Sequence, residues 1–258
     1  MKKEKESAPG GWRGWRKVKL VEKIQETPLH TSFLFAPEDG SSVMDYQAGQ
    51  YLSIRLPNIP GGYKLSSHCL SSLFVCPSLS CDLFKGCDHT QVRNYSLSDE
   101  PGENKYRITV KKEEEGIASS YLHDKVVVGD ILEIGVPCGD FVLAEGPESL
   151  VYLGAGVGIT PLLSMMKVSA KQGKKVIIEV TKQNYNSGLF FQTTLIYRAN
   201  DANSHPFRAE IEDLLSLGTN ASVNWLYVDQ ENVDKRSEFT QENLGAALPK
   251  VYQIDQGH

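Results

Sequence analysis

Along the first half of the chain, apolar and polar residues alternate with a period of two in short runs: KVKLVEKI, TSFLFAP, QYLSIRL, RNYSL, KYRITVKK and DILEIGV. That period turns one face of a strand toward a core and the other toward water, and turn-formers such as PEDG and DEPGEN separate the runs. Consecutive short strands of this kind predict a small antiparallel β-barrel. One helical stretch interrupts them, GIASSYLHD from Gly116, where Ile117, Tyr121 and Leu122 are spaced to share a buried face.

After EGPES the pattern changes. LVYLGAG is a continuous apolar run, as a strand buried on both faces requires, and VGITPLLSMMKVSAKQG follows it with helical spacing. TTLIYRAND reads as a further strand and FRAEIEDLL as a further helix. Strands alternating with helices predict a parallel sheet with crossover helices. The expected fold therefore has two domains, an antiparallel barrel over residues 11–147 and an α/β parallel-sheet domain over residues 148–258.

Two stretches carry groups that packing alone does not need. In VRNYSLSD, alternation puts Arg93, Tyr95 and Leu97 on one face and Asn94, Ser96 and Ser98 on the other. One face then offers a cation beside an aromatic ring, the other a row of polar groups. That set suits a ligand flat at one end and anionic at the other; for Arg93 the alternative is a surface salt bridge. In YLGAGVGITP, Gly154, Gly156 and Gly158 stand where a strand turns into a helix, just before Pro161. Glycine lets backbone amides approach a phosphate closely, and the helix start adds partial positive charge, so the expected guest is a dinucleotide. A tight turn without a ligand is the alternative.

Composition changes the picture in three ways. The 258 residues, 40% hydrophobic and 23% charged, are enough for two domains with proper cores. A net charge of -5, with no basic block beyond the short Lys2 to Lys5 run, argues against nucleic-acid and membrane-surface partners. No apolar run reaches the roughly 18 to 20 residues of a membrane span, and the N-terminus lacks the apolar core of a secretory signal, so a cytoplasmic location is expected. Cys69, Cys76, Cys81 and Cys87 crowd one segment while Cys138 stands alone, but their intervals lack the close C-x2-C pairs of zinc sites, and no metal is expected. The six histidines are scattered, none in an apolar helical setting, so each is expected at the surface or as a cap and none as a haem ligand.

The stretches GQYLSIRLP, RNYSLSD, GIASSYLHD and YLGAGVGITPLLSM, in that order, resemble the ferredoxin-reductase-type flavoproteins. APGGWRGWRKVKLVEKIQETPLHTSFLFAPEDG and YRANDANSHPFRAEI resemble one branch more closely, the reductase half of flavohaemoproteins, the nitric oxide dioxygenases. The resemblance spans roughly residues 8 to 247, with GGWRGWR its most specific piece. It implies a FAD-binding barrel, an NAD(P)H-binding domain, and electron delivery to a haem in an N-terminal globin domain.

Carried over position by position, the resemblance puts flavin contacts on Tyr51, Arg93, Asn94, Tyr95 and Ser96. Arg93 would pair with the pyrophosphate, Tyr95 would lie against the isoalloxazine, and the Ser96 hydroxyl would reach the flavin N5 edge, which makes Ser96 and Tyr95 the expected catalytic pair. Gly116, Ser119 and Ser120 would offer helix-start amides and hydroxyls to the pyrophosphate. Ala155, Gly156, Val157, Gly158, Ile159 and Thr160 match the nicotinamide-nucleotide segment. For Tyr51 an ordinary strand tyrosine packed on the barrel is the alternative.

The chain also departs from that family. The family joins its GQY and RxYS strands by a short loop, whereas Leu52 to Val92 intervene here, with an expected insertion at about 64–87 that holds all four clustered cysteines. A second expected insertion, VIIEVTKQNYNSGLFFQ from Val176 to Gln192, separates GKK from TTLIYRAND. A valine codon begins with GT, and Phe-Phe-Gln is what a pyrimidine tract ending in CAG encodes, so this stretch resembles a translated intron; a native strand and loop is the alternative. The nucleotide domain is expected to be truncated at its C-terminus, and residues 1–10 to be the tail of a missing globin domain. The expected function is an NAD(P)H-dependent FAD oxidoreductase serving a haem. The alternatives are a stand-alone reductase for another electron acceptor and a non-catalytic flavin-binding fragment. Whether Arg198 meets the 2′-phosphate of NADPH or only pairs with Asp201 stays open.

Overall fold

A computed structural model describes residues 6, 8, 10–57, 90–144, 150–171, 193–199, 205–216 and 223–227. Both expected insertions and the four clustered cysteines lie outside the described residues, as do Asp201 and the C-terminal stretch from residue 228. The first sheet comprises β1 (Arg16–Gln25), β2 (His30–Pro37), β3 (Tyr51–Leu56), β4 (Gln91–Ser96), β5 (Tyr106–Lys111) and β6 (Ile131–Ile134). Its strand order is β4-β3-β6-β1-β2-β5, with antiparallel pairing recorded along it. A bridge between Leu97 and Ile108 brings the two edge strands together and closes the sheet into a barrel. Each alternating run from the sequence has become a strand.

The inward set is Val18, Leu20, Phe33, Phe35, Leu52, Ile54, Leu56, Tyr106, Ile108, Val110, Leu132 and Ile134, all buried in one cluster. Each large side chain fully withdrawn from water there contributes about 1.5 to 3 kcal/mol. The helix α1 (Ile117–Asp124) stops this core with Ala118 and Leu122. Of the three residues expected on its buried face, Leu122 is fully buried, whereas Ile117 and Tyr121 pack half-buried on the cluster's margin.

One irregularity redirects β1. Its register against β2 shifts between Leu20 and Glu22, a bulge that reverses which residues face inward. Ile24, in phase with Val18 and Leu20 by simple alternation, is instead exposed, and Lys23 pairs across from the buried Phe33. The Lys23 ammonium lies 5.3 Å from the Phe33 ring centroid and donates to the carbonyls of His123 at 2.7 Å and Val126 at 2.9 Å. It thereby caps the C-terminal end of α1 with a cation, where the helix dipole is negative. Burial lowers the Lys23 pKa, while Asp124 acts in the opposite direction.

The second sheet is parallel, in the order β7 (Leu150–Ala155), β8 (Thr193–Ala199), β9 (Val223–Tyr227). The 3-10 turn Gly156–Gly158 leads from β7 into α2 (Ile159–Lys171), and α3 (Arg208–Ser216) precedes β9. Sequence pattern had no strand at VNWLY. Ile159, Leu162, Leu163, Met165, Met166, Phe207 and Ile211 form this half's core cluster, which also takes in Tyr152 and Ala48.

Two histidines correct the surface expectation. His30 at the start of β2 and His205 just before α3 are 2% and 4% exposed. The His30 Nδ1 is 2.8 Å from Thr27 Oγ1, while its Nε2 is buried with no hydrogen-bond partner among the described residues. Burial first, then Lys111 and His123, push the His30 pKa down to about 4; burial and Arg208 do the same for His205. Both are therefore neutral in the folded protein at pH 7.

Candidate functional site

β4 is the last strand of its sheet, so one of its edges has no ladder partner among the described residues. Opposed residues of an antiparallel pair share a face. Arg93 stands opposite Ile54 and Tyr95 opposite Leu52, both inward residues, so these two lie on the barrel side. Asn94 stands opposite Ser53 and Ser96 opposite Tyr51, on the outer side. The alternation expected from VRNYSLSD holds.

The two faces differ in chemistry. Tyr95 packs half-buried against the core, and burial pushes its phenol up to about 12, with the Arg93 charge pulling the other way. The phenol is neutral at pH 7, a flat apolar surface with one polar tip. Arg93 is exposed, and its guanidinium donates at 2.8 Å to the carbonyl of Val92. No carboxylate pairs with it among the described residues, so the salt-bridge alternative has no support there. On the outer face the Ser53 hydroxyl donates to Asn94 Oδ1 at 2.8 Å, and the Ser96 hydroxyl makes no hydrogen bond among the described residues.

Beside that outer face is a cavity of about 430 Å³, lined in part by Trp15, Tyr51, Ser53, Val92, Cys138 and Asp140. Tyr51 is held there from both directions: its N–H donates to the Cys138 carbonyl at 2.8 Å, and its carbonyl accepts from the Cys138 N–H at 3.0 Å. Its ring lies against Gly139, where a Cβ would come within 3.0 Å of the ring and where φ is +126°. Only glycine fits that position without moving the tyrosine. A ligand in contact with both Tyr95 and Ser96 has to reach both faces of β4, because the two side chains project from opposite faces.

At α1, Gly116 is the N-cap, and a Cβ on it would sit 2.3 Å from Ser119 Oγ. Ser119 uses its hydroxyl to hold this turn, donating to the Gly116 carbonyl at 3.0 Å and accepting from the Glu113 N–H at 3.1 Å. Its hydroxyl is therefore committed to the turn it shapes. Ser120 is half-buried with a hydroxyl that has no hydrogen bond among the described residues, and the first-turn amides of a helix have no intrahelical acceptor.

The glycine turn after β7 is open. Ala155, Val157 and Gly158 are exposed, Gly156 has φ +50°, and a Cβ at Gly156 or Gly158 would meet nothing within 4 Å. Ile159 and Thr160 are placed otherwise. Ile159 is fully buried in the core and its N–H is directed to the carbonyls of Gly156 and Val157. Thr160 is 5% exposed and its hydroxyl donates to the Val157 carbonyl at 2.9 Å. These two hold the turn in shape, and the exposed residues of the turn are Ala155, Val157 and Gly158.

Sequence reasoning missed the charges that join the two halves. Arg107 on β5 donates to both oxygens of Glu210 at 2.9 and 3.0 Å and to Glu26 Oε1 at 2.8 Å. Its guanidinium carbon also lies 4.9 Å from the ring centroid of Phe207, a non-glycine residue at φ +63°. The signal available in the sequence was weak: an arginine on the face of KYRITVKK opposite to the inward Tyr106, Ile108 and Val110, where a solvated cation is the ordinary expectation.

An antiparallel barrel followed by a parallel sheet with a glycine turn at its first strand's C-terminal end is the arrangement expected of the ferredoxin-reductase-type flavoproteins. Comparison with known proteins refines this. A family model described as an oxidoreductase FAD-binding domain matches residues 76–143. A flavohaemoprotein of Bacillus subtilis is 36% identical over 214 residues, 83% of this chain and 43% of the relative. One of Pseudomonas putida is 32% identical over 256 residues, 98% of this chain and 54% of the relative. The solved FAD/NAD-binding domain of the nitric oxide dioxygenase from Vibrio cholerae is 31% identical, with a TM-score of 0.62, covering 83% of this chain and 75% of that one. The chain belongs to the flavohaemoprotein family, in its FAD/NAD-binding reductase part. It spans about half the length of the flavohaemoproteins named here.

Proposed function

We propose that this chain is an NAD(P)H-dependent FAD oxidoreductase that passes electrons to a haem, as the reductase part of a nitric oxide dioxygenase. The observation that carries the reading is the end of β4, which brings together the exposed Arg93 cation, with no carboxylate partner among the described residues, the neutral Tyr95 ring and the Ser96 hydroxyl, which makes no hydrogen bond among them. The residues present fit FAD. Arg93 and the first turn of α1 suit the pyrophosphate, Tyr95 suits the face of the isoalloxazine, and Tyr51 and Asn94 suit its outer flank. FAD, when bound, supplies a hydride acceptor that returns its electrons singly.

The chain's own groups have separable tasks. Arg93 neutralises phosphate charge, Tyr95 excludes water from one ring face, and Ser96 supplies a hydroxyl at the reacting edge, where it can hold a proton or a hydrogen bond. Ala155 to Gly158 receive the nicotinamide nucleotide along an exposed turn, where even a Cβ at Gly156 or Gly158 would meet none of the described residues within 4 Å. A cytoplasmic location and a globin partner complete the reading. Among the described residues no helix is long and apolar enough to cross a membrane.

The test combines flavin retention with turnover. The purified chain should carry FAD, and it should reduce a dye acceptor at the expense of NADH or NADPH. Arg93→Ala removes a charge-assisted contact of about 1.5 to 3 kcal/mol, so FAD should bind roughly ten- to hundredfold more weakly. Equal flavin affinity in that variant would remove Arg93 from the site. FAD held without turnover would favour a non-catalytic flavin-binding chain.

A further inference from the structure

The two sheets are joined by a line of charges that the chemistry above leaves unused. Along α2, Ser164, Lys167 and Lys171 fall on one side, at helical spacings of three and four. Ser164 Oγ donates to the Asp99 carbonyl at 2.5 Å. Lys167 Nζ lies 2.6 Å from Asp99 Oδ1 and 2.5 Å from Glu210 Oε1. Glu210 in turn accepts from Arg107, whose other terminal nitrogen reaches Glu26. The line therefore runs Asp99, Lys167, Glu210, Arg107, Glu26, alternating in sign, with Asp99, Arg107 and Glu26 from the barrel half and Lys167 and Glu210 from the nucleotide half.

Its centre is shielded from water. The Lys167 and Arg107 side chains are 12% and 9% exposed, against 69% for Lys171, which pairs with Glu100 at the rim. Shielded pairs keep most of their attraction in salt, and rim pairs do not. Where the line ends gives it a geometric consequence. Asp99 lies three residues beyond Ser96, and Lys167 sits on the helix that begins at the glycine turn. A helix is stiff and rises about 1.5 Å per residue, so holding Ser164 and Lys167 against Asp99 also fixes where Gly156 to Gly158 stand relative to Ser96. Hydride transfer requires its two reacting atoms about 3 to 3.5 Å apart, and small misplacements cost large factors in rate.

We propose that Lys167 is a positioning residue: by bridging Asp99 and Glu210 it sets the separation between the nucleotide turn and the flavin strand. The rate consequence rests on the function proposed above, while the geometric role stands on the contacts alone. The ion-pair partners of Lys167 among the described residues are Asp99 and Glu210, so its loss should change how well the two halves are held together and leave FAD in place.

The experiment uses the full chain and reads two quantities. Amide hydrogen exchange is followed over residues 96–100 and 159–171, with 106–111 as an internal reference in the barrel. Flavin reduction is followed by stopped flow at saturating NADH and NADPH. Lys167→Met should raise exchange in the first two segments by about tenfold, leave the reference unchanged and retain FAD. It should also slow reduction by about tenfold at unchanged nucleotide affinity, and Lys167→Arg should restore both quantities. Unchanged exchange in Lys167→Met overturns the geometric role, and faster exchange with an unaltered reduction rate overturns the positioning role. A parent chain that holds FAD yet is reduced by neither nucleotide refutes the functional reading and, with it, the rate consequence. The exchange measurement then still decides whether Lys167 holds the halves together.

Discussion

Replacing Arg107 by methionine keeps a long side chain over Phe207 and removes the charge, so it isolates what the guanidinium does. The two carboxylates it serves are not equally dependent on it. Glu210 keeps Lys167 at 2.5 Å, and its side chain is 29% exposed. Glu26 is 14% exposed and keeps only the Ser32 hydroxyl, at 2.5 Å; no other cation is recorded against it among the described residues. Breaking a buried pair by removing one partner costs about 3 to 5 kcal/mol, most of it from the charge left behind. Glu26 should supply the larger part of that cost. Urea unfolding followed by tyrosine and tryptophan fluorescence measures it: at roughly 3 kcal/mol per molar urea, the midpoint should fall by about 1 M or more. The second arm is Arg107→Met with Glu26→Gln, which removes the stranded charge and should recover about 1 to 3 kcal/mol of the loss. A midpoint shift below about 0.3 M, or a double variant no more stable than the single one, would refute the assignment of the cost to a stranded Glu26 charge.

Three further outcomes are expected. Because the folded His30 and His205 pKa values are depressed to about 4 while the unfolded value stays near 6.5, the unfolded chain binds more protons between those limits. Stability should therefore be fully present above about pH 6.5 and fall as pH drops toward 4, by up to about 1.4 kcal/mol per pH unit for each imidazole. Unfolding midpoints measured across that range, with His30→Gln giving a shallower fall, check it. Gly156→Ala should cost about 1 to 2 kcal/mol, since φ is +50° and no neighbouring atom is struck, and its Cβ should weaken nucleotide binding without loosening FAD; nucleotide titration of flavin absorbance decides. Ser96→Ala should leave FAD bound and slow flavin reduction by roughly tenfold, about 1.4 kcal/mol of barrier, and a rate within twofold of the parent would mean that Ser96 only packs.

Local pattern was enough for much of this protein. The period of two placed all six barrel strands, the same period assigned Arg93 and Tyr95 to one face of β4 and Asn94 and Ser96 to the other, and the glycine spacing located the turn after β7. These are short-range properties: side-chain direction along a strand and the conformational freedom of glycine depend on a residue and its near neighbours. Where tertiary contacts compete, pattern failed. A bulge in β1 turned Lys23 inward and Ile24 outward, and a bulge is set by pairing with β2 and α1 rather than by the run KVKLVEKI itself. His30 is buried on β2 opposite Lys111 of β5, and His205 is likewise withdrawn from water, neither of which the flanking residues show. The line from Asp99 to Glu26 joins five residues from separate elements, and an ion pair between such residues leaves no periodic mark on the chain. Sequence thus determined the barrel strands, the two faces of β4 and the glycine turn, while the tertiary structure decided which charges hold the two halves together, because burial and long-range partnership exist only once the chain has folded.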